Sequence, residues 1–149
     1  MWLGRWAAST LVLATMAVVA TFVVVASRQV FSLEEVGTRR IVDATLGCAL
    51  LACFHAAVAF AVGALGASRG LAVGASVLVL VSGYVASFLL PLSDALAGAR
   101  VVSPWHWAIG QQPVTEGADA GGRLALVLAI AVLLWVGTAA VERRDIRPA

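Results

Sequence analysis

The fold of this chain is decided by the stretch between Asp43 and Asp94, which reads ATLGCALLACFHAAVAFAVGALGAS-R-GLAVGASVLVLVSGYVASFLLPLS. A single charged residue, Arg69, interrupts it, with 25 uncharged residues before it and 24 after it. A helix of roughly 18 or more such residues is long enough to cross a bilayer. Because only the residues GASRG at 66–70 separate the two apolar runs, we predict spans at about 44–67 and 71–92 that form an antiparallel helical hairpin.

Two further apolar runs flank this stretch. There are 22 uncharged residues between Arg5 and Arg28, and 18 between Arg123 and Glu142, which predict spans at about 6–27 and 124–141. Hydrophobic residues make up 62% of the chain and charged residues 12%, against about 45–50% and about 25% in soluble domains. We therefore expect an all-α, polytopic membrane helix bundle of four spans, forming a single transmembrane domain over residues 1–149. This composition excludes a soluble enzyme, a secreted disulfide-rich domain and a nucleic-acid binder.

Two segments outside the hairpin allow alternative interpretations. The first run, at 6–27, is longer than the apolar core of a signal peptide, about 7–15 residues, so we expect it to be retained as a span. The connector at 28–43 is either a short amphipathic helix on the membrane surface or a solvated loop. Glu35 and Arg39 are four residues apart and are able to pair on a helical turn there.

The segment 93–123 is the longest that does not span. Pro91 ends the preceding span, and the segment contains the aromatic triplet Trp105-His106-Trp107. Its apolar stretch, 95–109, is too short to cross a bilayer. We predict an external interfacial or re-entrant element with its tryptophans at headgroup depth.

Arginine placement predicts the orientation. Four spans put both termini on one side, and the chain has ten basic residues, all arginines. Five fall on each side, but those of the terminus side lie in much shorter segments, which is typical of cytoplasmic segments. We expect both termini, the hairpin turn with Arg69 and the C-terminal arginines to be cytoplasmic, in the inner (plasma) membrane.

Catalytic, metal and cofactor sites are not expected. No Asp, Glu or Arg lies inside a predicted span, and a phosphate-binding loop needs a lysine, which the chain lacks. His55 is the ionisable residue within a span. With Cys48 it makes two metal ligands where four are usual, so we expect a neutral histidine bonded to a neighbouring helix. His106 has no nucleophile or acid partner nearby in the sequence.

Small and polar residues within the spans predict helix packing. Glycines surround the hairpin turn at positions 63, 66, 70 and 74, where small residues let helices approach closely. The third span carries Ser76, Ser82, Tyr84 and Ser87. These either hydrogen-bond between helices or line a path for an amphipathic substrate.

Several motifs resemble those of ABC-2-type transporter permeases, the membrane subunits of ABC exporters. One is the turn GASRG at 66–70, similar to the short cytoplasmic turn between that family's fourth and fifth helices. Another is VSPWHW at 102–107 with QPVTEG at 112–117, similar to the family's external segment and the approach to its last helix. A third is ERRDI at 142–146, similar to the basic end of many members. GRW at 4–6 resembles the basic start of the family's third helix.

The resemblance implies a permease subunit that pairs with a second permease chain, identical or not, and with an ATP-binding subunit. Together they would export an amphipathic small molecule, and ATP would be hydrolysed by the partner, so the chain itself is not an enzyme and needs no cofactor. Membrane lipid is a further partner. The resemblance assigns an external gate to Ser103, Pro104, Trp105 and Trp107, a cytoplasmic turn to Arg69 and Gly70, and a cytoplasmic C-terminal motif to Glu142, Arg143, Arg144 and Asp145.

The resemblance is to the last four helices of permeases that have six. The first two helices and the coupling helix that docks on the ATPase have no counterpart in this sequence. This departure supports an alternative, a structural or regulatory membrane protein that does not transport. A small membrane enzyme is a third class, but it needs a catalytic pair at the interface, and the sequence offers none.

Overall fold

The computed structural model describes residues 15, 18, 19, 21–26, 37–110 and 120–145, without the side chains of Arg144 and Asp145. The described residues are almost entirely helical and contain no strand, which confirms the all-α class. The helices are α1 (Thr38–Ala64), α2 (Arg69–Tyr84), α3 (Pro104–Ile109) and α4 (Ala120–Asp145). Between α2 and α3 lie a π-helical turn, Val85–Leu89, and two 3-10 segments, Leu90–Leu92 and Asp94–Val102.

Three helices are long and apolar enough to cross a membrane: Thr38–Ala64, Arg69–Leu92 and Ala120–Arg143. They correspond to the second, third and fourth predicted spans. Of the first predicted span, the described residues are helical, and the rest of 6–27 lies outside the described residues. The count of four spans therefore stays a prediction.

Two helices begin earlier than the spans predicted for them. Helix α1 begins at Thr38 instead of residue 44, and α4 begins at Ala120 instead of residue 124. Residues 38–43 therefore belong to a spanning helix and not to the connector, whose residues 28–36, including Glu35, lie outside the described residues. The charges that marked the predicted ends are tolerated in the first turns, since Asp43 and Arg123 neutralise each other there.

The predicted hairpin between the second and third spans is confirmed. After α1, the N–H of Ala67 bonds the carbonyl of Val62 at 3.4 Å and the N–H of Gly66 bonds that of Gly63 at 3.1 Å. This pattern is a Schellman motif, which needs a left-handed residue, and Gly66 supplies it with φ 101°. The Ser68 hydroxyl then accepts the N–H of Leu71 at 3.3 Å and caps α2.

Close approach of the two helices was predicted at the glycines around the hairpin, and the structure shows it at Gly63. A Cβ atom at Gly63 would lie 3.9 Å from that of Ala72 on the opposite helix. At Gly70 and Gly74 a Cβ would have no neighbour within 4 Å. The glycines in tight contact with other elements lie elsewhere, because the rotation of each helix decides which residues face a neighbour.

Helix α1 is the centre of the bundle and packs along both α2 and α4. Asp43 and Arg123 meet near the starts of α1 and α4, while Gly137 meets Phe60 near their other ends, so these two helices run parallel. The C-terminal end of α4 consequently lies at the hairpin end, where Arg143 lines a surface pocket with Ala64 and Leu65. The hairpin and the C-terminal motif thus share one end of the bundle, as predicted; the side of the membrane on which they lie stays a prediction.

The core is small and the outer surface is apolar. Leu51, Phe54 and Val58 of α1 are buried with Ala108 and Leu126. By contrast, α2 exposes large apolar side chains along its length, among them Leu71, Val77, Leu78 and Val81. Exposed apolar surface on this scale is unfavourable in water and is expected of a helix that faces lipid.

The re-entrant segment as candidate functional site

The chain reverses its direction at Pro91. Helix α2 gives way to a π-helical turn, closed by the N–H of Leu90 bonding the carbonyl of Val85. Proline has no N–H and its ring clashes with the carbonyl four residues earlier, so the α-helix cannot continue through it. After Ser93, the segment Asp94–Val102 leads back to α3. We call residues 103–109 the re-entrant segment.

Ser103 fastens the start of the re-entrant segment to α2. Its side chain is 1% exposed, and its Oγ donates a hydrogen bond to the carbonyl of Gly83 at 2.7 Å. The same oxygen accepts the N–H of Trp105 at 3.2 Å, which makes Ser103 the N-cap of α3. Pro104 follows as the first helical residue, where its missing N–H has no effect on helix bonding. Gly83 precedes the end of the candidate span Arg69–Leu92 by nine residues, so the segment folds back alongside α2; whether it is re-entrant or interfacial in the membrane stays a prediction.

The indole N–H groups of the two tryptophans of the segment donate hydrogen bonds to backbone carbonyls of this chain. Nε1 of Trp105 donates to the carbonyl of Leu80 at 3.1 Å, and its ring meets Tyr84 edge-on with centroids 5.7 Å apart. Nε1 of Trp107 donates to the carbonyl of Val101 at 2.7 Å. Leu80 lies about 16 Å along α2 from Arg69 at 1.5 Å per residue. Trp105 therefore bonds α2 near the middle of the candidate span, and the predicted headgroup depth of the tryptophans stays a prediction.

A seat for this segment is formed by one glycine from each long helix: Gly47 of α1, Gly83 of α2 and Gly122 of α4. A Cβ atom at Gly47 would overlap the carbonyl oxygen of Ala108. At Gly83 it would lie 3.1 Å from Cδ1 of Trp105, and at Gly122 it would lie 3.0 Å from Cα of Trp107. We call these three residues the glycine seat. It lets three helices hold the segment by backbone contact.

An ion pair joins α1 to α4. The guanidinium of Arg123 donates from both terminal nitrogens to the two carboxylate oxygens of Asp43, each at 2.5 Å. The side chains are 20% and 34% exposed, respectively. Asp43 lies one helical turn before Gly47, and Arg123 follows Gly122 directly, so the pair lies beside the glycine seat. This contact was not predicted from the sequence, although opposite charges at the ends of two parallel spans are a usable signal for it.

The residues predicted from the sequence fall into two groups at opposite ends. Ser103, Pro104, Trp105 and Trp107 come together in and around the re-entrant segment. Arg69, Gly70 and Arg143 lie at the hairpin end, where Glu142 precedes Arg143 in α4. The side chains of Arg144 and Asp145 lie outside the described residues, so that part of the C-terminal motif stays a prediction.

His55 bonds its own helix and not a neighbouring one. Its Nδ1 lies 2.8 Å from the carbonyl of Leu51, and because a carbonyl only accepts, Nδ1 carries the proton. The link to α2 is made instead by its backbone carbonyl, which accepts the hydroxyl of Ser76 at 2.9 Å. Across the described part of the chain, no group of three metal-binding side chains is found.

Comparisons with known proteins find no relative. No family model matches the chain, and neither a curated protein nor a solved structure matches it. The resemblance to ABC-2-type permeases therefore rests on the motifs alone.

Proposed function

We propose that this chain is a permease subunit of an ATP-binding cassette exporter that moves an amphipathic small molecule across the membrane. The observation that carries the proposal is the re-entrant segment, with its Ser-Pro-Trp sequence, held among three helices of membrane-spanning length. The segment lies at the end of the bundle opposite the hairpin turn, so it serves as the external gate in this proposal. ATP hydrolysis belongs to a separate subunit in this proposal.

The two ends of the bundle have different tasks in this proposal. The hairpin end, with Arg69 and Arg143, binds the ATP-binding subunit, for which exposed arginines offer bidentate contacts to carboxylates. The apolar outer face of α2 meets lipid or a second permease chain. At the far end, Ser103 and Trp105 bond α2, so the gate moves together with that helix.

The test is a pull-down of the tagged chain from detergent-solubilised membranes, with identification of the proteins recovered. We expect a stoichiometric ATP-binding subunit. Replacing Arg69 and Arg143 together by alanine should release it, whereas replacing Arg39 and Arg40, at the opposite end, should not. Recovery of the chain alone, or only with itself, would contradict the proposal and favour the non-transporting structural or regulatory protein.

A further inference from the structure

An open cavity lies beside α1, between α2 and α4. In the part of the chain that the structure describes, α1 packs along both α2 and α4, but α2 and α4 do not pack along each other. The space between them measures about 570 Å³. Phe54 and Val58 of α1 form its back wall, and Val79 and Leu133 line its two sides. Its size falls within the range of about 300–1,000 Å³ found for small-molecule sites.

The cavity is closed at one end and open at the side. Ser103, Pro104 and Trp107 line it from the re-entrant segment and form its roof. Val102 and Val132 also line it and are 72% and 57% exposed, which places them at the opening between α2 and α4. The opening lies between two candidate membrane-spanning helices, on a side of the bundle that lipid would contact.

The polar groups of the cavity can accept hydrogen bonds but have no hydrogen left to donate. Ser82 donates its hydroxyl to the carbonyl of Leu78 at 2.7 Å. Ser103 and Trp107 likewise donate to backbone carbonyls. No charged side chain is among the described residues of the lining. An anion would find no donor here and a cation no counter-charge, whereas a hydroxyl could donate to the lone pairs of Ser82.

A membrane helix does not fit the cavity. One turn of a helix about 10 Å wide fills roughly 400 Å³, so the space holds little more than one turn. A spanning helix would also have to pass the roof at Trp107. The shape therefore favours a small molecule over a helix of another chain.

We propose that this cavity binds an uncharged, mainly apolar molecule with a hydroxyl donor, which enters from the bilayer between α2 and α4. The apolar body lies against Phe54 and Val58, and the hydroxyl donates to Oγ of Ser82. Such a site would hold the substrate of the proposed exporter, but the binding itself does not depend on an ATP-binding partner.

Photolabelling of the full chain, purified and reconstituted in lipid vesicles, tests the proposal. The probe is 3-azioctanol, an apolar alcohol with a photoreactive diazirine, and 1-octanol is the competitor. We expect saturable labelling of the peptides covering 79–83, 102–107 and 129–133, at least fivefold reduced by excess 1-octanol. Labelling spread over the outer face of α2 without competition would overturn the proposal.

Matched variants locate the site. Ala129 lines the cavity, so Ala129→Phe should fill it and reduce the labelling at least fivefold. Ala131 lies on the exposed face of α4, and Ala131→Phe should leave the labelling unchanged. Ser82→Ala should weaken the competition by 1-octanol roughly three- to tenfold, since one hydrogen bond is lost.

Two outcomes separate this proposal from its rivals. The octanol competition uses the unaltered chain, so it decides the question even if Ala129→Phe fails to fold. Absent labelling, together with cross-linking of two chains through Val132→Cys, would show an interface between copies and overturn the site. A failed pull-down of an ATP-binding subunit, with saturable labelling intact, would contradict only the proposed exporter function.

Discussion

Replacing glycine by alanine should have opposite effects on the free energy of unfolding at two helical positions. One is Gly47, in the glycine seat, and the other is Gly74, outside it. Alanine in place of glycine within a helix stabilises by about 1 kcal/mol. At Gly47 the new methyl group would overlap the carbonyl of Ala108 and lie 3.1 Å from Cγ2 of Ile109. Overpacking of this kind costs about 1–3 kcal/mol, and the upper value applies because a backbone atom must move. We therefore expect Gly47→Ala to lower the free energy of unfolding by about 2 kcal/mol.

Gly74→Ala is the matched control. Gly74 lies inside α2, and a Cβ there would meet no atom within 4 Å, so the propensity gain of about 1 kcal/mol is unopposed. The two variants should thus differ by about 3 kcal/mol. The assay is reversible unfolding in mixed micelles with increasing dodecyl sulfate, followed by circular dichroism, with tryptophan fluorescence reporting on Trp105 and Trp107. If Gly47→Ala is as stable as the unaltered chain, the close contact with α3 is wrong.

Three further predictions concern the surroundings of the re-entrant segment. Asp43→Asn should lower the free energy of unfolding by about 1–3 kcal/mol, between the values for exposed and buried ion pairs. A double-mutant cycle with Arg123→Gln should show that the two residues are coupled. Additive effects of the two substitutions would contradict the pairing. Ser103→Ala should lower the free energy of unfolding by about 1–3 kcal/mol in the same assay, since the hydroxyl bonds both α2 and α3. An unchanged midpoint of the unfolding transition would rule out that anchoring role. Trp105→Phe should change the ATPase rate of the proposed partner, whereas Leu128→Ile, at a side chain of α4 that is 56% exposed, should not. Equal rates in both variants would count against a gate.

The sequence predicted the hairpin better than the helix ends. The turn at 66–70 contains the glycine and the capping serine that local bonding requires, so neighbouring residues suffice to specify it. Helices α1 and α4 begin before the predicted spans, because a charged residue limits an apolar run in the sequence without ending the helix. Asp43 and Arg123 lie within the helices because each neutralises the other, and this pairing joins residues 80 positions apart.

The candidate site was predicted in part. The motif around Ser103 and Trp105 singled out a segment that packs against three helices, and its apolar stretch was too short to cross. Its attachment to α2 was not predicted, because the bond from Ser103 to Gly83 cannot be inferred from either residue alone. The glycines around the hairpin formed a visible pattern, yet Gly70 and Gly74 have no close neighbour, while Gly47 and Gly122 hold α3.

By itself, the sequence determined that this chain is helical and suited to a membrane. Long uncharged runs satisfy their backbone hydrogen bonds only within helices when water is absent, and this requirement acts locally. The tertiary structure decided which glycines form the seat, which charges pair, and that a cavity lies between α2 and α4. Those features depend on how helices far apart in the sequence are rotated about their axes and shifted along them, and packing alone fixes both.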